Sequence, residues 1–190
     1  MLTINFVTTN SYKFSVAQHF FTTAHLTDKF QLKQYDLETP EIQADSVQDV
    51  ALSSAKWIGK QLSQPVVVAD AGLSIKALGG FPGPYMKYLN DTLTPSDVLA
   101  MMRDKTDRNA DFIDALAYFD PTSNTSRVFT SITPGSITET ASETSASTVD
   151  RLFVPADHTL PLAGLSDKDR KEVWNTSRWQ ELTTFLQTIS

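Results

Sequence analysis

The chain has 190 residues, a formal net charge of −6 at pH 7 and no cysteine, a length that fits a single domain burying roughly 70% of its unfolded surface. Without a long basic run or an aromatic-basic alternation, no face suits a nucleic-acid polymer, although a nucleotide monomer stays open as a ligand. The lack of cysteine excludes disulfides and thiolate metal sites and makes a reducing cytoplasm the expected compartment. Residues 1–6 lack the basic start and apolar run of a signal peptide, and no apolar stretch approaches the roughly 18 residues that span a membrane, so no membrane partner is expected.

In chain order, residues 2–8 alternate apolar and polar positions as a strand, and residues 12–21 set Phe14, Ala17, Phe20 and Phe21 on one helical face. Between them lies Thr8-Thr9-Asn10-Ser11-Tyr12-Lys13, where hydroxyls, an amide, backbone N–H groups and a lysine converge at a helix start. Such a loop suits an anion, and it also suits ordinary capping. Residues 30–37 read as a second strand, after which Pro40 interrupts regular structure and leaves Glu41 in a loop. Residues 46–62 carry Val47, Val50, Ala51, Ala55, Ile58 and Leu62 as a long amphipathic helix.

Residues 66–70 begin with three consecutive valines and read as a buried strand. It delivers Asp70 to a strand end, just where a glycine-rich loop opens. Four of the seven glycines, Gly72, Gly79, Gly80 and Gly83, fall in that loop, where backbone can turn and approach a ligand closely. With right-handed β-α units, Glu41 and Asp70 meet on one sheet edge. Two carboxylates without His or Cys are hard oxygen ligands, suited to Mg²⁺ shared with phosphate oxygens.

Thr94-Pro95-Ser96-Asp97 is a helix start with a cap, a proline in the first turn and an acid behind it. Residues 110–119 and 126–132 then read as strands joined by the turn cluster at 120–124, so helical crossovers give way to a hairpin. The Ser/Thr-rich stretch 138–148 is expected to be a mobile loop. Ser166 opens the last helical region, and residues 179–189 close the chain. No repeat or interdomain linker interrupts the pattern, which predicts an α/β fold in one domain over residues 1–190.

Four segments together carry a family resemblance. They are Thr8-Thr9-Asn10-x-x-Lys13, Pro40-Glu41-x-Gln43, Asp70-x-Gly72-Leu73 with Ala77-Leu78-Gly79-Gly80-x-Pro82-Gly83-x-Tyr85-x-Lys87, and Ser177-Arg178. In order and approximate spacing, across essentially the whole chain, they resemble the inosine triphosphate pyrophosphatase family. The resemblance implies a long mixed central sheet flanked by helices that form two lobes with a cleft between them, and a homodimer. It also implies Mg²⁺-dependent hydrolysis of ITP, dITP and XTP to the monophosphate and pyrophosphate.

Carried over by position, Thr8, Asn10 and Lys13 resemble the triphosphate loop, Glu41 the metal-linked glutamate, and Asp70 the catalytic carboxylate that orients water or binds the metal. Lys56 and Lys87 resemble phosphate-side lysines, Lys56 equally reading as a solvated helix residue. Phe153 and Asp150 resemble the aromatic and acidic positions near the base, with a core role for Phe153 an equal alternative. Arg178 resembles the donor to an oxygen of the purine.

The departures are specific. Ala69 stands where the family has the first of two adjacent acids, Ser177 where it has a histidine, and Lys171 falls out of register with the lysine before it. A nucleotide-binding or regulatory protein that has lost turnover is therefore the alternative reading.

Overall fold

The computed structural model describes residues 1–189. Strand and helix alternate at first: β1 (Leu2–Val7), α1 (Ser11–Thr23), β2 (Phe30–Tyr35), α2 (Val47–Leu62) and β3 (Val66–Ile75). Shorter elements follow, β4 (Pro82–Gly83), α3 (Met86–Thr92) and α4 (Pro95–Met101), and then a long hairpin of β5 (Asn109–Asp120) and β6 (Thr125–Ile137). The chain continues through α5 (Thr148–Leu152), β7 (Phe153–Pro155), α6 (Asp167–Glu172) and α7 (Ser177–Thr188).

The strands make a seven-stranded sheet in the order β2-β1-β3-β5-β6-β7, with β4 paired to β3. It is mixed, as the resemblance implied: β1 is parallel to β2 and β3, while β4 and β7 run antiparallel to their partners.

Local chemistry accounts for the helix starts. Asn10 caps α1 by accepting from the N–H groups of Tyr12 and Lys13, Ser46 caps α2 by accepting from Asp49, and Thr94 with Asp97 forms a reciprocal capping box at α4. At α4 the hydrogen bonds from Thr94 hold the Asp97 carboxyl below its ordinary pKa.

Two strands outrun their sequence-based limits. β3 continues past Asp70 to Ile75 because Leu73 and Ile75 keep the period-two burial, both at most 1% exposed. Asp70 therefore sits within a strand and not at its end. β6 continues past Ile132 to Ile137 and carries β7 alongside.

The chain divides into two compact units. The first comprises Met1–Asp70, Asp114–Ser131 and the segment from Thr176 onward. Its core joins Ile4, Phe6, Phe21, Val67, Leu116 and Trp179. Trp179 stacks on Phe20 of α1 with ring centroids 5.6 Å apart and 6° between planes, which fixes the start of α7 on α1.

The second unit comprises Ala71–Ile113 and Ile132–Asn175, with a core of Leu73, Ile75, Leu89, Val98, Phe112 and Phe153. Gly135 lets β6 approach β7, since a Cβ there would lie 2.3 Å from the Val154 carbonyl oxygen and 2.6 Å from the Phe153 ring. The stretch after β6 is irregular up to α5, as expected, yet it is tied down. Arg108 donates to the carbonyls of Ile137 and Thr138, both at 2.6 Å, and Arg151 donates to that of Ser142 at 2.6 Å.

Candidate active site

In the first unit, two loops that carry candidate groups leave the sheet at one end, beside the strand that carries Asp70. Val7 is in register with both Tyr35 and Val68, so Thr8 and the segment leading to Glu41 emerge beyond the carboxyl ends of β1 and β2, while Asp70 lies two residues past the Val7–Val68 pair, inside β3 where it runs on beyond β1. Open α/β sheets bind ligands at this end.

The Thr8–Lys13 loop is shaped by its own side chains. The Thr8 hydroxyl accepts from the Asn10 N–H at 3.1 Å, and Asn10 Oδ1 accepts from Tyr12 and Lys13 at 2.9 and 3.2 Å. Gln34 Nε2 donates to the Thr8 carbonyl at 3.0 Å and braces the loop against β2. Two N–H groups expected to face an anion are thus engaged by the cap. For a ligand this leaves the exposed Asn10 side chain, with its amide N–H donors, and the half-buried Lys13 ammonium.

Glu41 is exposed in the loop before α2, and the Ser54 hydroxyl contacts the Pro40 carbonyl at 3.4 Å. Lys56, exposed on α2, lines an open cavity of about 530 Å³ together with Ile42, Asp45 and Asp49. The lysine and the segment following Glu41 therefore border the same space. Asp70 is half-buried, and its Oδ2 is shut away from solvent.

The same unit contains a buried cluster around Arg178. The guanidinium donates through Nη1 to Ser131 Oγ at 2.6 Å, and its Nη2 lies 3.4 Å from Asp114 Oδ1, with both charged side chains at most 15% exposed. Burial pushes the Asp114 carboxyl above its ordinary pKa, and the charges of Arg178 and Lys13 oppose that rise. Burial likewise pulls the Arg178 guanidinium down, with Asp114 opposing.

In the second unit, Lys87 is exposed at the second position of α3. The turn before it uses glycine where φ is positive, at 66° for Gly79 and 94° for Gly80. Asp150 is in the first turn of α5, and its Oδ2 accepts from Arg170 at 2.6 Å. Phe153 is fully buried, its ring 5.9 Å from that of Phe112. Of its two readings the structure displays the packing one, since a ring at 0% exposure has no face open to a base.

The Ham1 family profile matches residues 4–178. This chain belongs to the Ham1 family. A relative from Methanothermobacter marburgensis, named dITP/XTP pyrophosphatase, is 33% identical over 175 residues, covering 92% of this chain and 90% of that one. Another of that name, from Thermococcus kodakarensis, is 29% identical over 173 residues, covering 91% and 90%. The structure of a HAM1 protein from Coxiella burnetii matches with a TM-score of 0.81 at 21% identity, over 99% of this chain and 100% of that one. The family resemblance carried by the four motifs is thereby borne out, and the structural match bears out the fold.

Within this Ham1 chain, Asp114 and Ser131 were missed as candidates. A signal existed: Asp114 is a charge inside the otherwise apolar strand run Ile113-Asp114-Ala115-Leu116. Ser131 gave none, because a serine in a strand is ordinary.

Proposed function

We propose that this chain is a cytoplasmic, homodimeric hydrolase that cleaves dITP, ITP and XTP to the monophosphate and pyrophosphate with Mg²⁺. The observation that supports the reading is the register of β1 with β2 and β3, which starts the Thr8–Lys13 loop and the segment leading to Glu41 at the end of the parallel strands where Asp70 follows the last β1–β3 pair. The relatives' names support the substrate class. The exposed aromatic rings of Phe81 and Tyr85 on the glycine-rich segment and of Tyr88 on α3 support self-association.

The donor set fits a shared magnesium better than an all-protein centre. Among the described residues no three His, Asp or Glu side chains cluster to hold an ion. Mg²⁺ is commonly held by one or two carboxylates plus substrate phosphates, a role Asp70 and Glu41 suit. When bound, it neutralises charge on the phosphate oxygens.

The protein's own groups do the rest. Asp70 orients the attacking water, Asn10, Lys13 and Lys56 bind phosphate oxygens, and Arg178 donates to the 6-keto oxygen of the base. Adenine presents an amino group at that position and would leave the donor unmatched, which disfavours ATP.

The second reading, a binding protein without turnover, is favoured by Ala69 and Ser177 at positions where the family resemblance calls for an acid and a histidine. One assay separates the two: pyrophosphate release from a panel of nucleoside triphosphates, with and without Mg²⁺. Release from ITP above ATP, dependent on Mg²⁺, supports the hydrolase. Nucleotide binding without release supports the alternative.

A further inference from the structure

Arg178 is placed where a cation is doubly disfavoured. It is the second residue of α7, at the positive end of the helix dipole, and its side chain is only 13% exposed. Asp114 is disfavoured in the converse sense, as a carboxylate 15% exposed in a strand whose following residues, Ala115 to Phe119, are all buried. Each compensates the other at 3.4 Å, and Ser131 accepts a second bond from the same guanidinium.

Stability alone does not call for this arrangement, because buried ion pairs are commonly no better than apolar side chains of equal volume. What the pair does supply is orientation. The planar guanidinium fork is held by the carboxylate at one nitrogen and the hydroxyl at another, and Trp179 locks the helix turn that carries it.

We infer that Asp114 is a positioning residue for nucleotide recognition: it holds the Arg178 guanidinium in the orientation from which it engages the base. The inference rests on the proposed role of Arg178.

The test compares four full-length proteins: the parent, Asp114→Asn, Arg178→Gln, and the double variant, which leaves no uncompensated charge. Steady-state ITP hydrolysis with Mg²⁺ gives KM and kcat separately. Each single substitution is expected to raise KM for ITP about tenfold or more while kcat changes less than about threefold, the size of one lost charge-assisted bond. The double variant is expected to match Arg178→Gln alone, because Asp114 acts through Arg178. Should Asp114→Asn fail to fold, Asp114→Ser takes its place in the same comparison. An Asp114 variant with the parent's KM, a further rise of KM in the double variant, or a loss confined to kcat overturns the inference.

A parent protein that hydrolyses no nucleotide overturns the proposed activity instead. The inference is then read from ITP affinity by titration calorimetry on the same proteins, where weakening in Asp114→Asn with no loss in the double variant beyond that of Arg178→Gln upholds it. Additive weakening overturns it, and a parent that binds no ITP overturns both.

Discussion

Two arginine–aspartate pairs, one in each unit, share their chemistry and differ in their surroundings. Arg170 meets Asp150 at 2.6 Å with side chains 40% and 26% exposed, whereas Arg178 lies 3.4 Å from Asp114 with 13% and 15%. The shorter contact is the less consequential. Water and salt screen an exposed pair, which typically contributes about 0.2–1 kcal/mol. In the buried pair little water competes, and removing one partner strands a charge, at a cost of about 3–5 kcal/mol. Distance ranks the two pairs one way and burial ranks them the other. Burial decides, because it sets how much solvent replaces a lost partner.

The same contrast separates the two aspartates that the family resemblance singles out. Asp70 has an oxygen shut away from solvent in β3, two residues past the last pair of that strand with β1. Asp150 is occupied by a neighbouring guanidinium. The largest expected effect therefore belongs to Asp70→Asn, which keeps the shape and removes the charge. Turnover of ITP should fall by about 10²–10⁴, the worth of acid-base assistance, with the circular dichroism spectrum unchanged. Undiminished kcat in the purified variant would remove Asp70 from the reaction.

Lys13→Ala should come next and act on a different constant. Its half-buried ammonium follows a loop that is already capped, so losing it spares the loop and removes a phosphate contact. KM for ITP should rise about tenfold with kcat little changed, as for one charge-assisted hydrogen bond. A fall in kcat with constant KM would move Lys13 from binding to the transition state.

What the sequence made legible follows from how local each signal is. The alternation of β1, the cap-and-proline start of α4 and the valine run of β3 are short-range patterns, and the elements form where they point. The length of β3 was not legible, because Ala71-Gly72 reads as the beginning of a loop. Its continuation depends on a partner strand at Pro82–Gly83 that only the folded chain brings alongside. The candidate site divides in the same way. The Thr8–Lys13 loop, Glu41 and Asp70 announce themselves by motif, whereas the pairing of Asp114 with Arg178 joins residues far apart in sequence and no spacing reveals it. That two N–H groups of the first loop are spent on Asn10 was equally hidden, since capping and anion binding call for the same residues.

The smallest expected effect is that of Asp150→Asn, and it sharpens the comparison most directly. The backbone N–H of Asp150 donates to Ser147 Oγ at 3.1 Å, a bond that the substitution leaves in place. Only the carboxylate contact to Arg170 is lost, and that arginine is 40% exposed, so water can take over its donors. Unfolding stability should fall by about 0.2–1 kcal/mol, or at most about 4 °C in Tm for a chain of this size. The difference between parent and variant should shrink in 1 M salt, where the screening length is about 3 Å. Measured kcat/KM for ITP should stay within about twofold of the parent, because a side chain held by Arg170 is not directed at the nucleotide. A tenfold loss of kcat/KM at unchanged Tm would reverse that assignment and put Asp150 at the base, where the family resemblance would place it.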